Sequence, residues 1–70
     1  MKPIQHPEIR YFINHTGGVY RTVGNTVFEF NHKIGEYQES EMTLLDLAME
    51  SSCATEGVAL DMIDRVKALG

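Results

Sequence analysis

The chain has 70 residues, 43% of them hydrophobic, with a single cysteine and a formal net charge of −4. That length bounds it to one domain, residues 1–70; the apolar content excludes a disordered tail, and one cysteine excludes an internal disulfide. No paired Cys/His spacing marks a zinc site, so neither metal nor cofactor is expected. Direct nucleic-acid binding, which needs clustered Lys and Arg, is disfavoured as well.

The opening MKPIQHPEIRYF lacks the apolar run of a signal peptide. No stretch reaches the ~20 apolar residues of a membrane span, and a free thiol suits a reducing compartment. The expectation is a cytoplasmic protein with no membrane contact. Pro3 and Pro7 lead us to expect an extended, loosely held segment over residues 1–8.

From Arg10 the chain punctuates as a β-meander. RYFIN is the first strand, HTGG a turn, and VYRTV the second strand. Gly24-Asn25 matches a two-residue hairpin loop of type II′. TVFEF is the third strand, NHKIG a longer loop, and EYQES a short charged edge strand. Closing the loops at Gly24-Asn25, His32–Gly35 and His15–Gly18 fixes the register. One face then carries Phe12, Val19, Arg21, Val23, Phe28, Phe30 and Tyr37, and the other Tyr11, Ile13, Tyr20, Thr22, Val27, Glu29 and Gln38. The first face is the more apolar and is expected to be covered. A one-residue change in the first loop would move Phe12 across.

The second half reads as helix. Thr43, three residues before Asp46, makes a capping start for TLLDLAMESS. Thr43, Asp46 and Glu50 form a polar stripe, and the rest of that helix is apolar enough to pack on two sides. SSCATEG breaks it, and a second helix is expected from about Thr55 to Leu69. Its acids come early and its bases late, as the helix dipole favours, with Leu60 left among polar neighbours. The expected fold is therefore α+β: a four-stranded antiparallel meander followed by two helices packed on one sheet face. The other face, bearing Tyr11, Ile13, Tyr20 and Val27, would be left for a second copy or a partner.

Charge is uneven along the chain. Residues 1–35 carry four bases against two acids, and residues 36–70 carry eight acids against two bases. Acidic helices commonly serve solubility. They also attract basic partners, which singles out Asp46, Glu50, Asp61 and Asp64 with Leu60 as an anchor. An alternative ligand site lies where the first and third loops share an end of the meander. There His15, Thr16, Gly17, Gly18, His32 and Lys33 would bind an anion through backbone N–H groups. Solvated turn histidines are the plainer account of His15 and His32. Cys53 and the serines beside it carry no nucleophile motif, and no carboxylate pair has an acid–base setting, so an enzyme is not expected.

The stretch GGVYRTVGNTVFEFNHKIGEYQES, Gly17 to Ser40, resembles meanders of small accessory proteins of tailed bacteriophages. That resemblance implies a class of small proteins that bind and inhibit a host protein. The sequence thus leads to a non-enzymatic protein-binding module, a homodimer with a basic protein partner. A small-molecule or anion binder using the loop end, or a groove between protomers, is the alternative.

Overall fold

A computed structural model describes residues 8–69. The expected loose segment at residues 1–8 therefore lies outside the described residues except for Glu8. The order of elements is β1 (Ile9–Ile13), β2 (Val19–Val23), β3 (Thr26–Asn31), β4 (Glu36–Glu39), α1 (Leu44–Glu50), β5 (Ser52–Ala54) and α2 (Glu56–Leu69). The fold is α+β, with a five-stranded antiparallel sheet ordered β4-β3-β2-β1-β5 and two helices.

Two hairpins fall in the expected register. Val23 opposes Thr26 and Arg21 opposes Phe28 across β2 and β3, while Phe30 opposes Tyr37 across β3 and β4. Gly24 takes φ +62°, and among the described residues only glycines have positive φ, as a type II′ turn with glycine first requires. The β1–β2 hairpin differs. Phe12 opposes Tyr20 and Ile13 opposes Val19, so the loop holds five residues rather than four. The cause is Asn14. Its Oδ1 accepts from the Thr16 N–H at 3.1 Å, the Thr16 hydroxyl at 2.8 Å and the Gly18 N–H at 2.7 Å. Asn14 thereby leaves the strand to organise the turn. The slip moves Phe12 to the face of Tyr20, Thr22 and Val27, and takes Tyr11 and Ile13 to the face of Val19, Arg21 and Phe30.

The segment SSCATEG, expected as a plain break, contains a strand. β5 pairs with β1, setting Tyr11 against Ala54, Phe12 against Cys53 and Ile13 against Ser52. This edge strand lets the chain change sides. α1 lies on the Tyr20 face, where Leu47 joins Tyr20 and Val27 in one buried cluster flanked by Phe12 and Met42. α2 lies on the opposite face. There the Tyr11 hydroxyl donates to Glu56 at 3.3 Å, and a β-carbon on Gly17 would stand 3.1 Å from Val66.

The expectation of both helices on one face is therefore corrected, because β5 carries the chain around the sheet edge between them. Tyr20 is 7% exposed and Val27 1%, so neither belongs to an open surface. The bulky residues on both sides of the central hairpin are accounted for by one helix on each side.

Both helices start where the sequence placed them. The Thr43 hydroxyl accepts from the Asp46 N–H at 3.1 Å, and the Thr55 hydroxyl from the Val58 N–H at 3.2 Å. α1 has seven residues, far fewer than an isolated helix needs for stability. It is held by its cap and by Leu47, which is 1% exposed. Leu47→Ala is expected to cost about 2–4 kcal/mol, and Leu45→Ala on the outer side less than about 0.5 kcal/mol. Urea unfolding of the two variants checks this contrast.

Candidate functional site

The ~100° step between helical residues sorts α1 into rows one turn apart. With Leu47 turned to the sheet, Leu45 and Met49 point outward and are 70% and 77% exposed. Leu44 and Ala48 form an apolar row on one flank, also exposed, and Asp46 and Glu50 form an acidic row on the other. The helix thus packs on one side only. Four apolar residues of its seven remain accessible, a proportion a plain solvated helix does not need.

Grooves adjoin this stripe. Beside the Leu44 and Ala48 row, a cavity of about 480 Å³ is floored by Phe12 and Thr22 and closed by Gly24 at the hairpin end. Beyond Met49, a second of about 340 Å³ runs past Ile13, His15, Ser52 and Met62 around the β5 edge. The one-residue slip in β1 is what places Phe12 under α1. Cys53, opposite Phe12 in register, stands exposed on the same side of the sheet.

The change of sides also divides the acidic residues. Asp46 and Glu50 belong to the α1 side, joined by exposed Glu29, which shares that face with Tyr20. Leu60, Asp61 and Asp64 ride on α2, across the sheet, in company with Arg65 and Lys67. No continuous surface unites the four acids singled out in the sequence. α1 has no base to offset its acids, whereas α2 has two.

The loop end is assembled in part. His32 reaches the β1–β2 turn, its Nε2 lying 3.1 Å from the Gly17 carbonyl, which makes that nitrogen the protonated one. His15 faces elsewhere, towards Met49 and Met62. Four of the turn N–H groups proposed for an anion are already used. Thr16 and Gly18 donate to the Asn14 side chain, Gly17 to the Asn14 carbonyl, and Lys33 to the Asn31 side chain. Among the described residues no three His, Cys, Asp or Glu side chains gather as metal ligands. No helix there is long and apolar enough to cross a membrane.

Sequence reasoning missed the Arg21 cluster. Its guanidinium lies 4.2 Å from the Tyr37 ring centroid and 5.8 Å from that of Phe28. Its Nε is buried without an acceptor among the described residues. The opposed pairs Arg21–Phe28 and Phe30–Tyr37 were both readable. Placing Arg21 over Tyr37 needed the diagonal relation between β2 and β4 across the intervening β3.

Compared with family models, curated proteins and solved structures, the chain matches none.

Under α1, burial raises the Tyr20 phenol pKa above its ordinary 10.0, and the negative charges of Glu29 and Glu50 raise it further. Burial also raises Tyr37. A phenol whose folded pKa exceeds its unfolded value supports the fold fully below the unfolded pKa and loses that support as pH rises through the folded value. The urea midpoint should fall as pH climbs past about 10, and Tyr20→Phe should flatten part of the fall. An identical alkaline slope in that variant would show that Tyr20 contributes none of it.

Proposed function

We propose that this chain is a non-enzymatic protein-binding module that offers α1 to a basic, amphipathic segment of a partner protein. The observation that carries the reading is the Leu45/Met49 row, largely exposed and flanked by Asp46 and Glu50 with no base on the helix. Apolar residues that contribute little to a helix's own fold are available for a partner, and a neighbouring acidic row selects a partner with Lys or Arg beside its apolar anchors. The adjoining groove over Phe12 gives such an anchor somewhere to insert.

A second copy of the chain is the poorer occupant of this surface. Two α1 helices brought face to face would set Asp46 and Glu50 near their own counterparts, and like charges at an interface are unfavourable. The homodimer expected from the sequence also rested on an uncovered Tyr20 face, which α1 occupies. The resemblance over Gly17–Ser40 extends the proposal to inhibition of a host protein, with α1 as the blocking element.

A designed Lys/Leu amphipathic helical peptide, titrated calorimetrically, tests the surface. Leu45→Asp with Met49→Asp is expected to weaken binding about tenfold or more. Asp46→Asn with Glu50→Gln should weaken it about two- to fivefold and flatten its salt dependence. Equal losses from Leu60→Asp and Asp61→Asn would move the interface to α2 and sink the assignment to α1.

A further inference from the structure

Opposite the hairpin end, a groove of about 400 Å³ lies between the β3–β4 turn and the later part of α2. It shares no residue with the α1 surface, and its size falls at the lower end of small-molecule sites. Its apolar lining is Phe30, Ile34 and Ile63, and Lys33, Lys67 and Asp64 supply its charged groups. The Phe30 ring is held in place by edge contacts with His32 and Tyr37, each at 5.1 Å between centroids.

The groove's charge is opposite in sign to the −4 of the whole chain. Residues 8–69 contain Arg10, Arg21, Lys33, Arg65 and Lys67. Arg10 is engaged by Glu8 at 3.2 Å, the one ion pair among the described residues, and Arg21 lies over aromatic rings. Lys33, Arg65 and Lys67 enter no such pair; of these Lys33 and Lys67 line one groove, where a single acid, Asp64, leaves the rim with net charge of about +1. In the β3–β4 turn the Lys33 N–H donates to the Asn31 side chain and the Gly35 N–H to the Asn31 carbonyl, so neither amide is free for a small inorganic anion. Recognition falls to two flexible ammonium groups beside the apolar side chains of Phe30, Ile34 and Ile63. That combination favours an anion with an apolar body over phosphate alone.

We propose that this groove binds a monoanionic amphiphile. Its apolar body would lie against Phe30, Ile34 and Ile63, with its acidic group between Lys33 and Lys67. This does not depend on the protein-binding role of α1.

Anilinonaphthalene sulfonate, an aromatic monoanion, is a suitable probe for titration into the full ¹⁵N-labelled chain. Amide shifts should concentrate at Ile34, Gly35, Ile63 and Lys67. Lys33→Gln with Lys67→Gln should raise Kd about two- to tenfold, and Asp64→Asn alone should lower it about two- to threefold. The uncharged phenylnaphthylamine should bind more weakly than the sulfonate. Shifts centred on Leu45 and Met49, a Kd indifferent to both sets of substitutions, or equal affinity for the uncharged analogue would overturn the proposal. All three substituted side chains are exposed, and circular dichroism verifies that each variant keeps its helices.

Discussion

The pairing of β5 with β1 is the constraint on which the rest of the structure depends. Three residues, Ser52 to Ala54, add a strand to the sheet edge and fix the point where the chain leaves one face for the other. Ser51 closes α1 on the Tyr20 side, its N–H and hydroxyl both donating to the Leu47 carbonyl. Thr55 opens α2 immediately after β5, with its hydroxyl at the first turn. Without that edge strand, a short link would favour two neighbouring antiparallel helices on one side. With it, each helix receives a sheet face of its own.

This arrangement gives each helix a different task in the core. α2 is long enough to run from Tyr11 in the middle of β1 to Gly17 and the loop end, and Ala59 is its buried contact. α1 is half that length and buries Leu47 alone. A short helix with one deep anchor needs the sheet beneath it, and the sheet needs it to cover Tyr20 and Val27. The outer residues Leu44, Leu45, Ala48 and Met49 contribute little to that exchange. Burial within the described fold does not account for the apolar character of Leu45 and Met49, which are 70% and 77% exposed.

Much of this was legible in the sequence, and the failures have local causes. Gly24-Asn25 and Gly35 fixed two hairpins because loop length and positive φ leave few registers open. Thr43 and Thr55 marked both helix starts because a hydroxyl acceptor there satisfies otherwise unpaired N–H groups. The β1–β2 turn was harder. A four-residue and a five-residue loop are both compatible with NHTGG, and Asn14 decides between them through a side chain that accepts three hydrogen bonds. β5 had still less signal. Ser, Cys and Ala are poor markers of a strand, and this one forms because β1 offers it an edge. The candidate site suffered from the same gap. Asp46, Glu50, Asp61 and Asp64 are close in sequence, yet β5 separates them by the thickness of a sheet.

The separation has an electrostatic consequence that neither helix would show alone. On α2, Arg65 and Lys67 offset Asp61 and Asp64 within the same helix and leave only Glu56 at its start, so the field of its later part falls off over a short distance. On α1, Asp46 and Glu50 meet no base on their own element, and Glu29 on the sheet below adds to them. Burial first, and then the negative charges of Glu29 and Glu50, raise the Tyr20 pKa, so the same acids act on a phenol inside the fold. The α1 face therefore combines an uncompensated field with accessible apolar side chains. The groove between the β3–β4 turn and α2 carries the opposite charge and shares no lining residue with the α1 face.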